Sequence, residues 1–184
     1  MSVTDEAGVA ERSANPTTKA QARELTAFEI LELSYDDALQ LFGTLSAPSM
    51  REMRGEFRAE LLDQGTRSWT LAALLVVHFP GRWLAKAFTP TGDDEGHGYN
   101  VFVRGPRIVR EVRMRTYLGP SKYDGRPSYH LDYRAHQGGF VGTMRDEVRK
   151  LSDGLYLGIG EVGWRPLRRR SPFVLQGPVA PFAD

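Results

Sequence analysis

The chain has no cysteine, which excludes disulfides, thiolate metal ligands and a cysteine nucleophile, and suits a reducing, cytoplasmic compartment. It has almost no net charge, +1 with histidine neutral, so no global electrostatic argument favours nucleic acid or a membrane. Long apolar runs are missing. The longest, Leu71 to Val77, is far too short to span a bilayer, so no membrane insertion is expected. The opening MSVTDEAGVAERSANPTTKAQ lacks the apolar stretch of a signal peptide. His78, His97, His130 and His136 show no metal-ligand spacing, and no metal site is expected. Phosphate loop, Gly-x-Ser-x-Gly elbow and dinucleotide fingerprint are all absent, so no cofactor is expected. Arg168-Arg169-Arg170 is a short basic patch without any nucleic-acid motif around it, and nucleic acid is not expected as a partner.

What is there is a chain of 184 residues, long enough to bury a core without covalent staples. Residues 1–22 are poor in large apolar groups and read as a disordered tail. Residues 23–53 read as a helical N-terminal segment, a candidate lid. Helices are expected at 25–32 and 36–43, with Ser34 and Asp37 resembling a capping box and Ser49 an N-cap for Met50–Met53. From residue 54 strand signals take over to the end of the chain. Phe57, Ala59 and Leu61 alternate with Glu56, Arg58 and Glu60. Trp69–Phe79 suits a buried helix or a strand equally, and 90–98 reads as a polar loop.

Further strands are expected at 83–88, 99–104, 107–117, 128–134, 140–150, 155–163 and 172–177. Short turns join nearly all of them, Ser152-Asp153-Gly154 the clearest, and short connections favour antiparallel pairing. A long antiparallel meander removes its edges by closing. The glycines Gly158, Gly160 and Gly163 suggest bends or close approaches in the last hairpin. The expected fold is therefore mainly β: an antiparallel meander closed into a barrel of about eight strands, with a short helical N-terminal segment.

Three segments carry a family resemblance. Gly55-Glu56-Phe57-Arg58-Ala59 resembles the Gly-x-Trp-x-Gly opening of small lipocalin-like domains, with Phe57 for the tryptophan and Ala59 for the second glycine. Trp83-Leu84-Ala85-Lys86-Ala87-Phe88 resembles the Trp-x-Gly-Lys-x-Phe segment of the same GxWxG-type family, and Asp146–Arg149 with Gly154–Gly158 its closing hairpin. The resemblance spans 55–163 and implies a calycin-type barrel that holds a small apolar ligand.

Candidate site residues follow from strand faces. Tyr129, Leu131 and Tyr133 share one face and His130, Asp132 and Arg134 the other. An apolar interior takes the aromatic face and leaves His130 and Asp132 in solvent. The inverted register makes His130 and Asp132 a buried acid/base pair. Asp146 is the odd member of an otherwise apolar face, so it needs a partner; Arg149 lies on the opposite face unless a bulge intervenes, and Arg113 or Arg115 on an earlier strand can serve instead. Arg115 is also a candidate clamp for a ligand anion. Met114, Trp83, Leu157 and Asn100 complete the candidate ligand wall. Two functions follow. The first is a carrier of a small apolar or amphipathic molecule. The second is a cofactor-independent cyclase or isomerase that shapes a polyketide-like or lipid-like substrate, with Asp146, His130 and Asp132 assisting. A third reading, self-association as a homodimer, is open.

Overall fold

The structure, a computed structural model, describes residues 27–78, 81–163 and 168–183. The expected tail at 1–22 lies outside the described residues, as do residues 23–26. The chain runs α1 (Ala27–Leu31), α2 (Tyr35–Thr44), β1 (Gly55–Leu61), α3 (Arg67–His78), β2 (Arg82–Pro90), β3 (Glu95–Arg104), β4 (Arg107–Pro120), β5 (Pro127–Asp132), β6 (Arg145–Ser152), β7 (Leu155–Val162) and β8 (Arg169–Ala180). The eight strands form a closed barrel in sequence order, every neighbour antiparallel. Closure comes from β1 on β8, with Leu61 opposite Phe173 and Ala59 opposite Leu175.

Alternation sets which side chains point inward. Across β5, β6, β7 and β8, Tyr129 faces Val148, Val148 faces Gly158, and Gly158 faces Phe173, so all four lie on the inner face. Phe57, Phe88, Tyr129 and Tyr156 make an aromatic layer across the lower half, each ring centre 5.6 Å from the next. Met50 and Met53, both buried, pack beneath it and close the lower end. They are held by the expected cap: Glu52 N donates to Ser49 Oγ at 3.4 Å, and Ser49 N returns to Glu52 Oε2 at 2.7 Å. Glu52 also pairs with Lys150 on β6.

The helices α1 and α2 lie on the outer wall. Ile30, Ala38 and Phe42 cover Leu155, Leu157, Ile159 and Val174 on β7 and β8. Ser34 caps α2 as expected, its Oγ accepting from Asp37 N at 3.2 Å. Beneath Phe42 lies Arg149, fully buried on the outer face of β6. Its guanidinium donates to both carboxylate oxygens of Asp124, at 2.7 and 2.6 Å, and to Phe42 O at 3.0 Å.

Three local expectations are corrected. The strand expected from Phe140 begins at Arg145, because Val141–Thr143 forms a single 3-10 turn with its own backbone bonds. The polar loop expected at 90–98 shrinks to 91–94, where Thr91 N and Gly92 N both bond Glu95 O. The ambiguous Trp69–Phe79 stretch is helical through His78, started by Thr66, whose Oγ1 accepts from Trp69 N at 3.3 Å.

Candidate functional site

The upper end of the barrel is where β1 leaves and β2 enters, with α3 between them. Leu61, Val77 and Val109, from β1, α3 and β4, and Met144, just before β6, are half-buried there and pack on the interior core. Below this apolar ring lies a polar node. A bulge in β2 between Trp83 and Ala85 turns both Trp83 and Lys86 inward, while Ala85 and Ala87 face out. Lys86 Nζ donates to Asn100 Oδ1 at 3.0 Å and to the Tyr133 hydroxyl at 2.5 Å, and lies 3.0 Å from Asp146 Oδ2. Tyr133 in turn donates to Asp146 Oδ2 at 2.9 Å, and Trp83 Nε1 donates to Asn100 Oδ1 at 3.1 Å. Trp83, Tyr133 and Phe173 surround the ammonium, their ring centres 5.2–5.3 Å from it.

The side chains of Lys86 and Asp146 are only 3% and 4% exposed, so this is an ion pair inside an apolar barrel. Burial pulls the Lys86 ammonium below its ordinary range, and the Asp146 carboxylate opposes that pull. Burial, reinforced by Asp146, pushes the Tyr133 phenol well up, so it stays a proton donor. Asn100 is anchored through a second bulge, in β4, where Val112 has φ 58° and its carbonyl accepts from Asn100 Nδ2 at 3.4 Å. A β-branched residue in that region is strained by about 1–3 kcal/mol, a cost tolerated where surrounding structure imposes it. The node offers an ammonium, a phenol and a carboxylate within one hydrogen-bond radius. It can hold a ligand oxygen or pass a proton between these groups.

The sequence-derived candidates divide cleanly. Tyr129, Leu131, Tyr133, Met114, Trp83, Asn100 and Asp146 all lie in the interior and are buried. His130 and Asp132 take the outer face: the His130 ring stacks on Tyr117 with centres 4.8 Å apart, and Asp132 pairs with Arg145 at 3.1 Å. They are not brought to Asp146 inside the barrel, because alternation puts them on the opposite side of β5. Two ligand-wall candidates are corrected. Leu157 faces outward under α2, since its partner Arg149 belongs to the outer face of β6. Arg115 is exposed and pairs with Glu95 at 3.0 Å. The partner of Asp146 is also corrected, from an arginine of β4 to Lys86 of β2. Lys86 carried a signal of its own, a lone charge on the strand face it shares with Phe88.

Glycine serves this interior by giving space to side chains of the protein itself. A Cβ on Gly158 would sit 2.1 Å from Phe173 Cζ, and one on Gly160 would sit 2.9 Å from Asp146 Oδ1. Among the described residues no group of three or more His, Cys, Asp or Glu side chains is arranged to hold a metal ion. No described helix is long and apolar enough to cross a membrane.

Fold and site together define a closed, antiparallel, eight-stranded β-barrel with an internal ion pair. No family model matches the chain, and no curated protein matches it. A solved structure of a protein from Thermomonospora curvata is similar, with a TM-score of 0.56 and 18% identity over 79% of this chain and 88% of that one. At that identity the likeness concerns the fold alone.

Proposed function

We propose that the barrel binds one small, mostly apolar molecule that enters at the α3 end. The observation that carries this reading is the Lys86–Asp146 pair at 3.0 Å beneath the half-buried ring of Leu61, Val77, Val109 and Met144. A buried ion pair contributes little net stability compared with apolar packing, so stability is a weak reason for having one. Placed under an apolar entrance, it gives a ligand's hydroxyl or carbonyl a partner and fixes its orientation. The strained bulge that anchors Asn100, and the resemblance of 55–163 to lipocalin-like domains, support the same reading. The absence of cysteine supports a cytoplasmic setting.

A second reading has its own observation. Tyr133 lies within 2.5 Å of Lys86 Nζ and 2.9 Å of Asp146 Oδ2, an arrangement able to move a proton. On this reading the barrel is a cofactor-independent cyclase or isomerase whose walls fold the substrate.

Native mass spectrometry of the purified protein, repeated after denaturing solvent extraction, tests the common premise. A stoichiometric small molecule, or uptake of the neutral probe N-phenyl-1-naphthylamine by emptied protein, is the expected result. V109R at the entrance should weaken probe uptake by about tenfold or more. No bound molecule together with no probe uptake would overturn both readings. Turnover of the extracted compound would decide between them.

A further inference from the structure

The helix α3 is built inside out. Its sequence is apolar from Leu71 to Val77, yet none of its residues is buried. Arg67, Leu71, Leu74 and Leu75, spaced i, i+4, i+7 and i+8, form one stripe, and that stripe faces solvent. Leu71 is 59% exposed and Leu75 64%. The half-buried side toward the barrel carries Trp69, Ala72, Ala73 and Val77. Three contacts hold this orientation. Val77 packs on the interior core, and the Arg169 guanidinium stacks 4.8 Å above the Trp69 ring. The third is His78 Nδ1, which accepts from Trp83 N at 2.9 Å.

The surroundings of the stripe are basic. Arg67 on the stripe, Arg82 just beyond the helix and Arg107 at the neighbouring β3–β4 tip are exposed and have no ion pair among the described residues. The register places Arg82 opposite Val103 and Arg107 opposite Arg104, which makes the hairpin tip the immediate neighbour of the end of α3. Ile108 beside it is 58% exposed. Of the acids at this end, Asp132 is engaged by Arg145, Glu60 by Arg58, Glu111 by Arg104 and Glu161 by Lys122 and Arg168, and Asp63 accepts from Tyr35 N and Gly65 N. Exposed Asp93 and Asp94 lie in the β2–β3 turn at the other end, where Asp153 is engaged by Lys150.

We propose that the upper end of the barrel docks on an anionic lipid bilayer. Leu71, Leu74 and Leu75 would lie at the headgroup–acyl boundary, with Arg67, Arg82 and Arg107 among the phosphates. Charge decides between this occupant and a second copy of the chain. A two-fold pairing through α3 brings the unpaired arginines of both copies together, whereas an anionic surface neutralises them. Docking stands apart from the barrel's ligand. If both hold, it sets the entrance against a reservoir of apolar molecules.

Flotation of the full chain with vesicles of phosphatidylcholine, with and without phosphatidylglycerol, tests this. Binding is expected on the phosphatidylglycerol vesicles only and weakens as salt screens the arginines. R67Q should weaken it about fivefold, the share of one cation near such a surface. L71S/L75S should weaken it by about tenfold or more. Both changes fall on exposed positions, and thermal melts by circular dichroism confirm folding. Equal or absent binding to both vesicle types would overturn the proposal. So would concentration-dependent dimers that L71S/L75S converts to monomers. Full uptake of N-phenyl-1-naphthylamine beside absent vesicle binding would remove docking and leave the barrel reading standing.

Discussion

A lysine inside a β-barrel gives up its hydration shell, and Lys86 recovers it from Asn100, Tyr133 and Asp146. Each of its three N–H groups has an acceptor, so a ligand oxygen that reaches the node has to replace one of them. K86M keeps the side-chain volume and strands the Asp146 carboxylate in an apolar interior, which should cost about 3 kcal/mol by urea denaturation. D146L alone should cost a similar amount, and K86M/D146L should recover most of either loss. Additive losses in that double-mutant cycle would show that the pair is not coupled. Asp146 was legible in the sequence as a charge among apolar neighbours. Its partner was not, because β2 and β6 are distant in sequence and meet only across the closed interior. Arg113 and Arg115 sat on a nearer strand, but alternation turns Arg115 outward to Glu95.

At the scale of elements, the inner faces of β7 and β8 interlock through a missing side chain. Gly158 leaves room for the Phe173 ring, and G158A would force a Cβ to 2.1 Å from Phe173 Cζ. Overpacking of this kind should cost about 1–3 kcal/mol, read as a lower melting temperature. F173L in the G158A background should restore part of the loss. No restoration would mean that the strand needs glycine for its backbone instead. The glycines of this hairpin were legible as places of close approach. What approaches was not legible, since Phe173 lies fifteen residues on and reaches Gly158 only through the register of β7 with β8. The short cap of α2 was read directly, because Ser34 and Asp37 act within one helical turn. The strand expected at 140–144 failed for the same local reason: a backbone turn satisfies its hydrogen bonds before a neighbour can.

At the scale of the molecule, two carboxylates tie peripheral segments to the barrel. The bonds from Lys150 and the Ser49 backbone hold the Glu52 carboxyl down at about 2. The Arg149 guanidinium holds Asp124 well below the usual carboxylate range. A carboxyl depressed in the folded state contributes stability above its unfolded value, and that contribution is lost as pH falls toward the folded one. The melting temperature should therefore drop between about pH 4.5 and pH 2, and E52Q should flatten part of that limb. Glu52 is a third exposed, so its share is screened and small. A melt that does not respond to pH over this range would contradict the pairing.

Period-two alternation and short turns by themselves determined a mainly β chain and a consecutive antiparallel meander. These follow from neighbours along the chain, where local geometry decides. Only the tertiary structure decided that Lys86 meets Asp146, that Leu157 lies beneath α2, and that α3 holds its leucines outward. Each of these depends on closure, which brings remote strands face to face across a core or along a wall. One residue of register exchanges inside for outside, and a bulge such as that between Trp83 and Ala85 makes that exchange without any mark in composition.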